Sequence, residues 1–512
     1  MLRTFVCLLI VFCFSFGSEA QRIMYSQPDR DDVKTMSFDI IGKINNQFLI
    51  HKANRNNHKI AIYDSSMKVV SINDLDFLPE KILSTDVLAY RDFFYLFYQY
   101  QRKNVVYCMA AKMDGEGKII GEPKQLDTTA VNFFANDKLC SIINSDDKQK
   151  IMVFKINSKN PERSLLTTSL FDGNLNHVHK SVITIPMPEK SDFLTEFTID
   201  NDGQFAFMKP VGSSKEDNIT QATFITKEPE SDVLSFYTLT IPKIYLDDIK
   251  IKVDNVNKRY LITSFYSKVK RGNIEGLYCT IWDKKQQKEI YTANATFSEE
   301  VRSDAKSEGS IKTAFNDFYV QNILVRRDGG FVIAAESAYT SSRGVYNNRW
   351  DYYSSSPFYS PYNYYYYSWN SPLYYGSYYY PWWRWGGFPG SQINRFYADN
   401  IAVLSFDSSA NHQWTNIIHK SQFDDYTDNF IGYGTLNSGG QFHFLFNQLE
   451  KRTLLLTDQS ITPDGQVIHS PTLHNLNRDY QFMPRYAKQV SSYELIVPCQ
   501  YRNFICFAKV EF

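Results

Sequence analysis

The chain has 512 residues, more than one compact core supports, so it is either several domains or one repeating architecture. Its 55 Lys and Arg balance 55 Asp and Glu, which leaves no basic field to attract DNA or RNA and no acidic tail. Aromatic residues make up 16% of the chain, many in short alternating runs separated by Asn, Asp, Gly and Ser, a pattern of strands and turns rather than helices.

At the N-terminus, Arg3 precedes an apolar run from Phe5 to Phe16, followed by Gly17, Ser18, Glu19 and Ala20. This order reads as a secretory signal over 1–20, cut before Gln21. A membrane anchor is the competing reading, but about a dozen apolar residues fall short of the roughly 30 Å that a helix must span. Phe12 stands where a lipoprotein signal needs a small residue before its cysteine. No later apolar run is long enough to cross a membrane, so the expected location is secreted or periplasmic.

Signal removal takes Cys7 and Cys13 and leaves Cys108, Cys140, Cys279, Cys499 and Cys506, too few for a disulfide framework. In VPCQYRNFICF, a tight turn at Arg502 and Asn503 sets Cys499 opposite Cys506 on paired strands, within disulfide reach. The two are a disulfide or a pair of buried thiols packed as small apolar groups.

From there the chain repeats one pattern: a polar turn leading into a strand that opens on an apolar residue, usually aromatic. It occurs before Phe48, Phe94, Leu139, Phe205, Tyr260, Phe331, Phe442 and Tyr493, after turns such as Asn45-Asn46-Gln47 and Asn201-Asp202-Gly203-Gln204. Gly, Asn and Asp suit these turns because they tolerate positive φ. Each interval holds about four strands, for example Asp86 to Tyr90, Phe94 to Tyr100, Val105 to Lys112 and Lys118 to Gln125. Four-stranded sheets repeated in this way predict an all-β, β-propeller fold of four-stranded antiparallel blades over 21–512, eight-bladed with seven as the alternative. Two β-sandwiches are the competing architecture. The last repeat has only three strands, and Arg22 to Ser26 is expected to supply the fourth, fastening the two ends of the chain.

One interval, from Phe331 to Phe442, is about double length. The excess is a Tyr- and Trp-rich insertion over 341–396 in the sixth blade, between its second and third strands. From Tyr352 to Tyr380 nearly half the residues are Tyr, interleaved with Ser, Asn and Pro, and the tract closes on Pro381-Trp382-Trp383-Arg384-Trp385. It is too aromatic for an ordinary linker and too rich in Pro and Ser for a continuous strand.

After the insertion, Asp407, a turn through Asn411, and Trp414 resemble the repeat of quinoprotein-type propellers, which carry an Asp, a turn and a Trp at this place. Asp114 with Gly115 to Gly117, and Asp172 with Gly173, match only the Asp and the turn. The resemblance implies the fold. Enzymes of that family also use Ca²⁺ and, in many members, a vicinal disulfide, and no adjacent cysteines occur here.

Sequence motifs for chemistry are missing. His177 and His179 flank Val178 on one strand face, but no third metal ligand accompanies them, so a solvated pair is the better reading. Asp172-Gly173-Asn174 lacks the later carboxylates of a calcium loop. No nucleophile elbow, zinc motif or phosphate-binding glycine loop is present. No catalytic residue, metal or cofactor is nominated. The sequons at Asn218 and Asn294 carry no weight.

The insertion is therefore the candidate binding element, with Trp350, Tyr364, Tyr366, Trp369, Tyr379, Trp382, Trp383 and Trp385 as its contact residues. Such side chains join a flat apolar face to a polar tip and suit sugar rings and partner hot spots. The expected function is non-enzymatic recognition or scaffolding, with a protein or glycan of the cell envelope as partner. The alternatives are a structural or adhesive segment, and an enzyme whose lid is this loop.

Overall fold

The computed structural model describes residues 22–29, 36–132, 134–135, 138–160, 162–187, 192–212, 218–307, 309–342, 345–346, 378–379, 394–425, 427–450, 453–470 and 480–512. These residues form eight antiparallel sheets, each built on four strands. In chain order the blades span 36–74, 84–130, 141–186, 195–238, 245–296, 318–418, 433–469 and, for the eighth, 480–511 together with Arg22–Tyr25. Blade 5 has a first strand in two pieces, Tyr245–Leu246 and Lys250–Asp254, and in blade 8 a 3-10 turn at Pro484–Tyr486 divides the first strand.

The core explains why these strands form a ring. Strand residues alternate between the two faces of a blade, so every blade needs an apolar neighbour on each side. Eight large clusters of buried side chains occupy the eight junctions in turn. They run from Ile41, Leu49 and Phe94 between blades 1 and 2 to Leu436, Phe482 and Leu495 between blades 7 and 8. The eighth junction, back to blade 1, is filled by Met36, Phe38, Phe48, Met483, Ile496 and Phe507, which closes the circle. Each fully buried Phe, Leu or Ile contributes roughly 1.5–3 kcal/mol to this packing.

The ends of the chain close the eighth blade as expected. Arg22–Tyr25 pairs antiparallel with Ala508–Glu511, and Ser26 continues the contact through an N–H bond to the Phe507 carbonyl at 2.8 Å. The N-terminal strand thus covers the exposed outer edge of the last strand, which would otherwise offer unpaired backbone groups to other chains.

Seven of the eight anchor turns fall between the first and second strands of a blade, with Phe48, Phe94, Phe205, Tyr260, Phe331 and Phe442 buried behind them. Positive φ occurs there at Asn46, Gly203, Lys258, Gly329 and Gly440. The third differs: Leu139 precedes the first strand of blade 3, Ser141–Asn144, and the true turn is Ser145–Gln149, with Lys148 at φ 60° and its apolar anchor at Ile151. A blade-to-blade link there carries the polar-then-apolar order that elsewhere marks a hairpin. The fourth strand of blade 2 also starts later than its sequence suggests, at Lys124 rather than Lys118. The chain first makes an isolated bridge between Met113 and Ile119.

In blades 1, 2, 3 and 6 an aspartate organises the turn between the third and fourth strands. Asp64, Asp114, Asp172 and Asp407 each accept, through Oδ1, the amides two and four residues on, at 2.7–2.9 Å. The third residue after each Asp has positive φ: Met67, Gly117, Leu175 and Ala410. Trp414 packs on the corresponding turn of blade 7, where Gly465 leaves room for its ring.

Candidate binding face and inner ring

Successive strands of a blade run in opposite directions. The link between second and third strands therefore emerges on the same face as the links between blades. In blade 6 this hairpin is drawn out into an arm. Its strands Phe331–Ser342 and Asn394–Phe406 are the longest among the described residues and stay paired as far as Ser342 with Asn394. Gln422–Asp424 adds a further strand along Phe396–Ala398, and Val345–Tyr346 folds back on Ser341–Ser342.

The base of the arm is aromatic and charged. Tyr339 and Tyr397 stack with ring centroids 4.5 Å apart and 10° between planes, and the Tyr339 hydroxyl donates to Asp399 Oδ2 at 3.0 Å. Burial pushes the Asp399 carboxyl above the usual range. The Arg395 guanidinium lies 4.6 Å over the ring of Phe423, which is 55% exposed. Beneath these groups, buried Lys420 pairs with Glu336 at 2.7 Å and donates to the Ala398 carbonyl and to Gln422 Oε1. Burial depresses the Lys420 ammonium against the opposing pull of Glu336. Arg485, from blade 8, binds Asp428 at 2.7 Å and approaches Glu336 at 3.8 Å. Gln422 reaches the Asn447 carbonyl of blade 7. Three blades therefore hold the base of the arm.

The insertion returns to the ring at one described point. The backbone of Tyr378–Tyr379 pairs antiparallel with Asp39 and Phe38, on the inward edge of the first strand of blade 1. Of the expected contact residues, Tyr379 is on this pair. Trp350, Tyr364, Tyr366, Trp369, Trp382, Trp383 and Trp385 lie outside the described residues.

The inner ring has its own chemistry. First strands leave an open edge toward the axis, and side chains from neighbouring blades satisfy it. Glu196 sits at a bulge in the first strand of blade 4 with φ 57°, and its carboxylate accepts the Ile251 amide of blade 5 at 3.3 Å. Lys250 lies 3.3 Å from Glu196 and 2.8 Å from Asp248. Burial outweighs Lys250 and pushes Glu196 up to about 7. Lys488 of blade 8 donates to the Ile40 carbonyl of blade 1 at 2.7 Å, and burial lowers its ammonium.

His177 and His179 lie on the outermost strand of blade 3, but a bulge sets them opposite the adjacent residues Phe171 and Leu170, so they take opposite faces and not the one face expected; His179 faces Asp232 at 2.9 Å and His177 sits edge-on to Phe171. Among the described residues no three His, Cys, Asp or Glu side chains gather as metal ligands. Cys499 and Cys506 are directly opposed, fully buried, with sulfurs 2.8 Å apart. The charged groups under the arm escaped sequence reasoning, because Glu336, Lys420 and Arg485 come from three separate segments with no shared motif.

This architecture defines an eight-bladed β-propeller. No protein-family profile and no curated protein sequence matches the chain. Among solved structures it is similar to the polysaccharide lyase Uly1, with TM-score 0.40, 8% identity, and 96% of this chain and 99% of that one covered. It is also similar to a PL25 ulvan lyase (0.38, 9%, 82% and 90%) and to prolyl oligopeptidase B from Galerina marginata (0.41, 6%, 92% and 56%). No helix among the described residues is long and apolar enough to cross a membrane.

Proposed function

We propose that the protein is a secreted, non-enzymatic binding propeller that recognises a protein or glycan of the cell envelope through its aromatic insertion. The arm of blade 6 carries this reading. It is the most extended hairpin among the described residues, three blades brace its base, and the insertion leaves it on the face of the blade-to-blade links. Tyr and Trp bind well when a rigid mount has already met their ordering cost. The test is affinity capture from the native envelope, using the full chain and a chain in which 347–393 is replaced by a short Gly/Ser bridge. The reading predicts that bound proteins or glycans vanish with the insertion while the ring still folds. Capture unchanged by the deletion overturns it.

A second reading, a propeller enzyme with the insertion as lid, draws on Glu196, an inner-ring carboxyl that burial pushes up to about 7. It predicts an activity toward an envelope polymer that Glu196→Gln abolishes and that the binding reading does not require.

A further inference from the structure

The junction between blades 2 and 3 carries a row of polar groups through an otherwise apolar interface. Gln99, Cys108 and Asp127 lie side by side on the second, third and fourth strands of blade 2, each directly paired with the next. Directly opposed residues point to the same face, and this face meets blade 3. Gln99 takes hold of the backbone at the entry to blade 3: its Oε1 accepts the Leu139 and Cys140 amides at 3.0 Å, and its Nε2 donates to the Cys140 carbonyl at 2.8 Å. At the other end of the row, Asp127 pairs with Lys155 at 2.6 Å and Lys180 at 2.8 Å, both from blade 3. Cys140 is thus held against the middle member of the row. Cys108 and Cys140 lie in the same buried cluster at this junction, each 1% exposed, and each thiol shifts the titration of the other.

We propose that Cys108 and Cys140 are a disulfide-forming pair that joins blade 2 to blade 3 when the chain folds under oxidising conditions. With Cys499 and Cys506 as the companion pair inside blade 8, four of the five cysteines beyond the signal fall into two couples. All five are free thiols in the structure, and Cys279, the only cysteine in the apolar cluster between blades 5 and 6, is expected to stay one. The site does not depend on what the aromatic arm binds.

Before the junction closes, either thiolate can open the exchange. Taking Cys140 first, its sulfur bonds to one sulfur of an oxidised donor, a small-molecule or protein disulfide. The donor S–S bond breaks, and the departing donor thiolate takes up the proton Cys140 released. Cys108, deprotonated in turn, then attacks the Cys140 sulfur. The inter-blade bond forms, and the second donor thiolate leaves and is protonated. The chain loses two protons and two electrons, and the donor gains both. Because both sulfurs are sealed in the folded junction, exchange belongs to folding, before blades 2 and 3 close on one another.

The test is refolding of the chain from Gln21 to Phe512, which contains every described strand, out of denaturant in a mixture of reduced and oxidised glutathione. Alkylation then quenches exchange and the peptides are mapped without reduction. The expected result is a linked peptide pair joining Cys108 to Cys140, two hydrogens lighter than the two reduced peptides, with Cys279 alkylated. Cys108 and Cys140 both alkylated, in protein whose tryptophan emission and circular dichroism match the natively purified chain, would overturn the proposal. So would either residue linked to a different cysteine.

Discussion

Acid should unfold this propeller through blade 1. His51 on its second strand and His58 on its third are buried, with parallel rings 5.3 Å apart and Nε2 of His51 3.1 Å from Nδ1 of His58. One ring N–H serves the bond between them, and His51 Nδ1 has no partner among the described residues. A second proton has nowhere to go without burying a charge. Burial, with repulsion from His58, lowers His51 to about 3, and burial lowers His58 to about 4. Both values lie below the 6.5 of a free imidazole, so the unfolded chain takes up protons first. The stability tied to the neutral pair is whole above that value and is lost as pH falls toward the folded values. Each unit of pH in this window costs about 1.4 kcal/mol per histidine, so the pair gives up roughly 4 kcal/mol between pH 7 and pH 5. Urea unfolding at pH 7, 6 and 5 measures it, comparing the wild type with His51→Gln, His58→Gln and the double variant. Carboxylates contribute to every curve alike, so the readout is the difference in slope. Each single variant should lose about half of the excess pH dependence and the double variant nearly all. Equal slopes in wild type and double variant would refute the reasoning.

Two further outcomes follow from the ring. Lys420→Met strands the buried Glu336 carboxylate, so thermal or chemical unfolding should show a loss of about 3–5 kcal/mol, most of it recovered in Lys420→Met with Glu336→Leu; equal losses in the single and double variants would contradict this. Removing residues 22–29 uncovers the edge of Phe504–Glu511 and deletes the Asp29–Lys52 ion pair, so the truncated chain should melt lower and aggregate with rising concentration, whereas an unchanged midpoint and a monomeric profile would argue against ring closure by that strand.

The ring was legible in sequence because its determinants are local. A hairpin turn, a buried aromatic after it, and four strands per interval can be read without knowing any neighbour, and Phe205 behind Asn201 to Gln204 shows the rule at work. Leu139 shows where it fails, since a link and a hairpin can carry the same polar-to-apolar order. The opposition of Cys499 to Cys506 was also readable. What the sequence hid lies between blades. Lys488 caps the Ile40 carbonyl across 448 positions of chain, and Glu196 caps Ile251 only because a bulge turns it toward the next blade. The backbone of Cys140 is held against blade 2 by Gln99, a residue with no sequence signal of its own. Such pairs follow from the closed ring and become visible only once it is closed.

The role proposed for the tract on the blade 6 arm is to recognise something outside the molecule. Its most direct test is the triple variant Trp382→Ala, Trp383→Ala, Trp385→Ala, which removes recognition side chains and leaves the arm's paired strands in place. Binding of the captured envelope protein or glycan and the urea midpoint are measured on the same preparation. The expected result is at least a tenfold loss of affinity with the midpoint unchanged, given the energies that buried aromatic contacts carry. Affinity unchanged, or a fall in midpoint that accounts for the loss, would contradict it.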